Sequence, residues 1–111
     1  MFRTKKQQKE LCTSCPIARV ANLIGDTWSL LIIRDLEHGT KRFGELETSL
    51  VGVSSRTLTK KLQFLEKNKI IARKQYSEKP PRVEYTLTPN GKKFHEIIEA
   101  MRSYGEKYLS K

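Results

Sequence analysis

Apolar positions in the first part of the chain recur with the spacing of amphipathic helices. A first helix is predicted over residues 16–24, where proline suits the first turn and Gly25 ends the helix. Its apolar face consists of Ile17, Val20, Ala21 and Ile24. A second helix, capped by Asp26 or Thr27 and ending near Gly39, is apolar around most of its circumference. A short helix of that kind is normally central and buried.

Two more helices follow, joined by a tight connection that contains Gly52. The third is predicted from Phe43 to Leu50. The fourth is capped by Ser54, ends near Asn68, and turns leucines inward at i, i+4 and i+7. Its other face carries polar and basic side chains: Ser55, Arg56, Thr59, Lys60 and Gln63. Two short helices around a glycine-containing turn, the second with a basic outer face, match a helix-turn-helix.

Alternation with a period of two replaces helical spacing after the fourth helix. Residues 70–77 and 82–87 are predicted to form two strands, and apolar side chains alternate with polar ones in the second. Pro80 and Pro81 mark the loop tip between the strands, because no ladder N–H is required there. Thr88 caps a final helix, with an apolar stripe made of Phe94, Ile97, Ile98, Met101, Tyr104 and Tyr108.

The predicted order of four helices, two strands and a final helix defines the fold class. A helix-turn-helix followed by a β-hairpin is the winged helix-turn-helix arrangement, so we expect an α+β, mainly α, domain with extra N- and C-terminal helices. Residues 1–11 are predicted to be a flexible basic arm, and residues 12–111 the domain. No apolar run approaches the roughly 20 residues that span a bilayer, and no apolar signal core follows the N-terminus. We therefore expect a cytoplasmic protein with no membrane partner.

The distribution of charge indicates the kind of partner. The chain has 22 Lys and Arg against 12 Asp and Glu, a net charge of +10. Seven of these net charges fall within residues 54–82, where nine basic residues accompany two acidic ones. A basic helix beside a basic hairpin suits duplex DNA, because the helix can enter a groove while flanking groups contact phosphates.

The predicted DNA contacts lie mainly on the fourth helix and the hairpin. The first turn of a helix has unpaired N–H groups and a positive dipole end, which suit a phosphate. Arg56 can present two donors to a guanine edge, whereas Lys79 and Arg82 would neutralise phosphate or, for Arg82, enter a minor groove. The candidate set is Arg42, Ser54, Ser55, Arg56, Thr57, Thr59, Lys60, Gln63, Lys79 and Arg82. The alternative is a solvated helix face with Ser54 as an ordinary cap.

The apolar stripe of the last helix extends beyond what the domain core needs. Leaving it in water would cost roughly 25 cal/mol per Å², so we expect a symmetric homodimer in which the N-terminal segment crosses over. The predicted interface contains Ile17, Val20, Met101, Tyr104, Tyr108 and Leu109. Such a dimer would present its two recognition helices to half-sites about one helical turn apart.

Cys12 and Cys15 are the only cysteines and are predicted to be reduced thiols. Their spacing fits half of a zinc site, but no second pair follows and His38 and His95 are distant in sequence, so we predict no metal site and no cofactor. Cys15 precedes the first helix, with Arg19 one turn on, and both favour a thiolate. It is therefore a candidate redox sensor, the alternative being an unreactive helix lead-in. No catalytic constellation stands out, so an enzyme is not expected.

Several motifs occur in a fixed order over residues 12–108. They are Cys15-Pro16, Leu23-Ile24-Gly25-Asp26-Thr27-Trp28, Arg34-Asp35-Leu36, Arg42-Phe43-Gly44-Glu45-Leu46, residues 53–62 with Leu65-Glu66, and residues 80–85 with residues 87–91. Together they resemble the HxlR family of bacterial winged-helix transcriptional regulators. The resemblance implies a cytoplasmic homodimer on palindromic operator DNA, with the first and last helices at the dimer interface.

The resemblance also implies a role for Cys15, since the cysteine at this place senses oxidants or electrophiles in some family members. Cys12 departs from the commonest single-cysteine pattern, and it allows an internal Cys12–Cys15 bridge instead of a link between subunits. A small-molecule, oxidant or metal effector stays open. Two other classes of function also stay open: a winged helix that binds RNA or an acidic protein, and a redox-active thiol protein.

Overall fold

The computed structural model describes residues 15–109, so Cys12 and the predicted arm over residues 1–11 lie outside the described residues. The elements, in chain order, are α1 (Pro16–Ile24), α2 (Thr27–Leu36), β1 (Lys41–Arg42), α3 (Phe43–Ser49), α4 (Ser55–Lys67), β2 (Ile71–Tyr76), β3 (Arg82–Leu87), α5 (Pro89–Lys92) and α6 (His95–Tyr108). The predicted winged helix-turn-helix is confirmed, with α3 and α4 as the helix-turn-helix and β2 and β3 as the wing.

Local sequence signals set the starts of three helices. Pro16 occupies the first turn of α1. Asp26 caps α2, because its Oδ1 accepts a hydrogen bond from the Ser29 N–H at 2.9 Å. Ser54 caps α4, because its Oγ accepts from the Thr57 N–H at 3.0 Å. These caps satisfy backbone donors that a helix leaves unpaired in its first turn, and so they fix where α2 and α4 begin.

The end of α4 is fixed by a turn through Lys69. Lys69 has a φ of 62°, in the left-handed region. The Ile70 N–H donates to the Leu65 carbonyl oxygen at 2.9 Å and the Lys69 N–H donates to the Glu66 carbonyl oxygen at 3.0 Å, which is the Schellman pattern of helix termination. Because Leu65 and Ile70 are both fully buried, the turn leads the chain from α4 into β2 through the core.

The strands form one antiparallel sheet in the order β1-β3-β2. In this register Tyr85 of β3 lies between Lys41 of β1 and Arg73 of β2. The side chains of Tyr85 and Leu87 are buried, as the alternation in β3 predicts. β1 leads directly into α3, so the sheet joins the helix-turn-helix to the wing.

A single apolar core lies beneath these elements. Its buried members are Ile24, Ile32, Ile33, Leu36, Leu46, Leu50, Leu58, Leu62, Leu65, Ile70, Ile71, Tyr85, Leu87 and Ile98. The predicted central position of α2 is confirmed, since Ile32 and Ile33 are completely buried. The predicted inward face of α4 is confirmed as well, because its three leucines at i, i+4 and i+7 belong to this core. The opposite face of α4 is thereby left for solvent or a partner.

The prediction of one continuous final helix was wrong, because α5 and α6 are separate. Thr88 caps α5 by accepting from the Gly91 N–H at 2.9 Å, and its own hydroxyl donates to the Lys69 carbonyl oxygen at 2.6 Å. A Cβ on Gly91 would overlap the carbonyl oxygen of Ile70. These close contacts fasten α5 to the α4–β2 turn, and a new helix begins after it.

Two other boundaries differ from the sequence prediction. β1 was not predicted, because two residues are too few to show alternation. The second helix ends at Leu36, and the residues up to Gly39 form a turn instead of the last helical turn. None of the helices within residues 15–109 is long and apolar enough to cross a membrane.

Candidate nucleic-acid interface

One face of α4 is an exposed polar ridge. Four of the predicted DNA contacts lie on it with exposed side chains: Arg56, Thr59, Lys60 and Gln63. Their i, i+3, i+4, i+7 spacing places them on one side of the helix, away from the buried leucines. The recognition ridge, as we call these four residues, can therefore enter a groove without disturbing the core.

Three side chains at the first turn of α4 make internal hydrogen bonds. Ser54 Oγ accepts from the Thr57 N–H and donates to Thr57 Oγ1, both at 3.0 Å. Ser55 Oγ donates to Glu47 Oε2 of α3 at 2.6 Å. Three of the predicted DNA contacts thus have structural partners, and a phosphate at this helix start would meet a carboxylate close by.

The two adjacent lysines of α4 differ in their surroundings. Lys61 Nζ lies 3.3 Å from Asp26 Oδ2, whereas Lys60 is exposed. Partial burial alone would raise the pKa of Asp26, but hydrogen bonds from the backbone and hydroxyl of Ser29, with the nearby Lys61 ammonium, outweigh it and lower the pKa. Lys61 therefore ties α4 to the start of α2, whereas Lys60 lies exposed on the recognition ridge.

Arg82 is held by the wing itself. Its guanidinium lies 4.0 Å from the centre of the Tyr76 ring. One guanidinium nitrogen is 3.0 Å from Glu78 Oε2, and Nε is 3.5 Å from Glu84 Oε2. The Arg82 side chain is only 29% exposed, whereas Lys79 at the loop tip is exposed. Lys79 is therefore the more accessible of the two predicted wing contacts.

Arg42 lies between the helix-turn-helix and the wing. It ends β1, where it is the register partner of Glu84 on β3. Its backbone N–H donates to Glu45 Oε1 at 2.8 Å at the start of α3, and its side chain is exposed. Arg42 thus lies at a junction, because β1 continues into α3 of the helix-turn-helix and pairs with β3 of the wing.

The predicted dimer residues are exposed on α1 and α6. Ile17 is 79% exposed, and the rings of Tyr104 and Tyr108 lie 4.9 Å apart with both residues exposed. Met101 and Leu109 are exposed too, whereas Val20 is partly buried against the core. The described residues thus include exposed apolar side chains on the same helices, α1 and α6, that the sequence indicated.

Cys15 sits at the residue before α1. Its carbonyl oxygen accepts from the Arg19 N–H at 3.1 Å, and its side chain makes no capping hydrogen bond. The residue is partly buried. The sulfur therefore lies at a helix start, as the sequence predicted for a candidate sensor.

Sequence reasoning missed two residues that shape this surface. Glu47 reaches Ser55 across the turn between α3 and α4, and Tyr76 supports Arg82 across the wing. An acidic residue just before a basic helix and an aromatic residue in the wing strand are visible in the sequence. Which basic or hydroxyl group each one contacts depends on the turn and the strand register.

Comparison with known proteins decides the family. The family model for the HxlR-like helix-turn-helix matches residues 23–111. The chain belongs to the HxlR family. It is 43% identical over 95 residues to the HTH-type transcriptional regulator sll1512 of Synechocystis sp., covering 86% of this chain and 70% of that protein. This HxlR protein is thus a transcriptional regulator of the helix-turn-helix type.

Solved structures agree with the HxlR fold. The redox regulator HypR in its reduced form has a TM-score of 0.83 and 31% identity, covering 86% of this chain and 95% of that chain. HypR in its oxidised form has a TM-score of 0.80 and 34% identity, covering 83% and 95%. The chain is therefore similar to a regulator that is known in both redox forms.

Proposed function

We propose that this protein is a sequence-specific DNA-binding transcriptional regulator that acts as a homodimer on palindromic operator DNA. The observation that carries the proposal is the recognition ridge, four exposed polar side chains on one face of α4 in an HxlR-family fold. Residues 12–111 then form one DNA-binding domain, and residues 1–11 precede it as a basic arm. The proposed location is the cytoplasm, where the DNA is.

The contacts divide into base readers and phosphate binders. Arg56 can donate two hydrogen bonds to a guanine edge, and the other ridge residues lie within two turns of it. Ser55, Arg42 and Lys79 would bind phosphates on either side of the groove. Ser54 and Thr57 also hydrogen-bond each other at the helix start, and Arg82 also lies on the Tyr76 ring. These three residues would therefore combine a structural role with the DNA contact predicted from the sequence.

The uncovered apolar surface of α6 supports the homodimer. Tyr104 is 59% exposed and Leu109 is 70% exposed, which is costly for a protomer alone in water. A groove on α6, lined by Ile97, Met101 and Tyr104 among others, is almost wholly apolar. In the proposed dimer, α1 and α6 of a second copy cover this face, and the two recognition ridges bind one duplex.

Cys15 is the proposed site of a response to oxidants or electrophiles, with Cys12 as its candidate partner. Its place at the start of α1 adjoins the proposed dimer interface, so a modified thiol could change how the two copies meet. Similarity to HypR, which is named a redox regulator, favours this response.

The test is discrimination between operator and random DNA. Genomic footprinting with and without an oxidant supplies the operator and its symmetry. Arg56→Ala should then lose most of the difference in affinity between operator and random duplex, worth about 1–3 kcal/mol for one bidentate base contact. Lys67→Ala, which removes a positive charge from the far end of α4, is the matched control and should keep that discrimination.

Two results would oppose the proposal. Unchanged discrimination in Arg56→Ala would remove this side chain from the base contacts. Stronger binding to structured RNA than to duplex DNA of equal length would favour the RNA-binding alternative.

A further inference from the structure

Away from the recognition ridge, three potential metal ligands converge where α2 ends and α6 begins. Glu37 follows the last residue of α2, and His95 and Glu99 lie one turn apart on α6. One ligand atom from each residue can be chosen so that all three lie within 4.8 Å of one another. The closest pair is His95 Nδ1 and Glu37 Oε2, 2.9 Å apart.

These separations are close to the spacing of ligands around one ion. Zinc–nitrogen and zinc–oxygen bonds of about 2.0–2.2 Å place neighbouring ligand atoms roughly 3–4 Å apart. His95 and Glu99 are at i and i+4, which puts their side chains on one face of α6 without any change in the helix. The three groups therefore need side-chain adjustments only.

The mixture of ligands selects the class of ion. Imidazole nitrogen is a preferred ligand of zinc and other divalent first-row transition metals, whereas calcium and magnesium are bound almost wholly by oxygen. Two carboxylates balance the charge of a divalent cation. One histidine and two glutamates supply three protein ligands, which is the number in zinc sites that keep one position for water.

We propose that Glu37, His95 and Glu99 bind a divalent transition-metal ion, for which Zn²⁺ is the natural probe. The ion would connect the end of the central helix α2 to the start of α6. Glu37 is the better-buried ligand, since its side chain is only 13% exposed, against 64% for His95. This site is independent of the DNA-binding proposal, since none of the three residues belongs to the recognition ridge or the wing.

Basic neighbours limit the affinity but leave ligand positions available. Arg102 Nε lies 3.2 Å from Glu99 Oε1, and Lys92 lines the same cleft. A carboxylate has two oxygens, so Glu99 can keep Arg102 on one and bind the metal with the other. If these basic neighbours prevent metal binding, the simpler alternative holds, in which the His95–Glu37 hydrogen bond alone joins α2 to α6.

The experiment is a zinc titration of the untagged Cys12→Ser/Cys15→Ser protein, in competition with a chromophoric chelator. Removing both thiols eliminates the cysteine ligands of the chain. We expect about one Zn²⁺ per chain and a rise in melting temperature on binding. His95→Ala and Glu37→Gln should each weaken binding by about tenfold or more.

His38→Ala is the matched control, because His38 is the exposed histidine next to Glu37 and lines the same cleft. It should bind zinc like the parent. Absence of stoichiometric zinc binding in the parent would overturn the proposal, as would equal binding by His95→Ala and His38→Ala. Circular dichroism of each variant checks the fold, and Glu99→Gln replaces any variant that fails to fold.

Discussion

Glu47 places a carboxylate beside the first turn of α4, where a DNA phosphate is proposed to bind. Its Oε2 accepts a hydrogen bond from the Ser55 hydroxyl at 2.6 Å. A negative charge near a helix N-terminus stabilises the helix, but it also repels a phosphate that approaches the same N–H groups. The Glu47 carboxylate therefore stabilises α4 in the free protein but weakens phosphate binding in the proposed complex.

Replacing Glu47 by glutamine should strengthen DNA binding. Glutamine keeps an oxygen for Ser55 and removes the charge, so we expect affinity to rise about two- to fivefold, the size of a solvent-exposed charge interaction. The rise should be similar on operator and random duplexes, because phosphates carry no sequence information. Fluorescence anisotropy measures both, and Glu66→Gln at the other end of α4 is the control. A loss of affinity, or an equal rise in both variants, would contradict this role.

Arg82 and Tyr76 form a pair whose contribution can be separated from phosphate binding. If Arg82 acts mainly by holding the wing, Tyr76→Ala should weaken DNA binding about as much as Arg82→Ala, and the double variant should lose little more. If Arg82 contacts a phosphate, Arg82→Ala should in addition reduce the slope of log affinity against log salt concentration by about one unit. A purely structural role would leave that slope unchanged. Anisotropy at several salt concentrations decides, and Lys79→Ala supplies the reference for a phosphate contact.

Among the elements, α2 depends on one titrating cap. Asp26 has a lowered pKa in the folded state, so its carboxylate contributes stability above the ordinary value of 3.8 and loses that contribution as pH falls through the folded pKa. Parent stability should therefore decline on acidification, beginning just above this value. The cap also links α2 to α4 through Lys61.

Two substitutions test the cap. Asp26→Ala should lower the free energy of unfolding by about 1 kcal/mol at pH 7, whereas Asp26→Asn keeps a capping oxygen but should show a flatter decline between pH 5 and pH 3. Urea unfolding across this range measures both. Glu106→Gln, an exposed change on α6, should run parallel to the parent. Parallel curves for the parent and Asp26→Asn would show that this carboxylate does not govern acid stability.

The sequence predicts elements well where the signal is local. The helix over residues 16–24, the cap of α4 and the strand Arg82–Leu87 follow from proline position, a serine before a helical run, and strict alternation. The break between α5 and α6 did not follow, because it depends on contacts of Thr88 and Gly91 with the distant α4–β2 turn. β1 exists only because β3 pairs with it.

The same division applies to the candidate site. The exposed positions on α4 could be read from periodicity, since the leucines define the opposite face. The partners of Ser55 and Arg82 could not, because hydrogen bonds and ring contacts depend on side chains brought together by turns and registers. The convergence of Glu37 with His95, 58 residues apart in sequence, is likewise a product of the fold.

For the whole molecule, the proposed dimer makes the sharpest prediction. Tyr104→Glu puts a charge in the apolar face of α6, where Tyr104 is exposed in the protomer. The single chain should therefore fold normally while dimers dissociate. Operator affinity should fall by about tenfold or more, because the two copies that bind the half-sites are no longer linked. Light scattering and circular dichroism measure assembly and folding.

Ser103→Glu is the control for this substitution. It adds the same charge on the same helix, about 100° away from Tyr104 around the axis. We expect the control to remain dimeric. A parent protein that is monomeric at micromolar concentration would refute the dimer, and equal dissociation of both variants would show that the apolar face is not the specific contact.

The short strand β1 has a consequence for how operators of different length could be bound. Its two residues pair with β3 and continue without a linker into α3, so backbone hydrogen bonds join the wing to the helix-turn-helix. The distance between the recognition ridge and the tip of the wing is thereby set within each copy. In the proposed complex, any adjustment to a longer or shorter palindrome must come from a change of angle between the two copies, not from flexing within one.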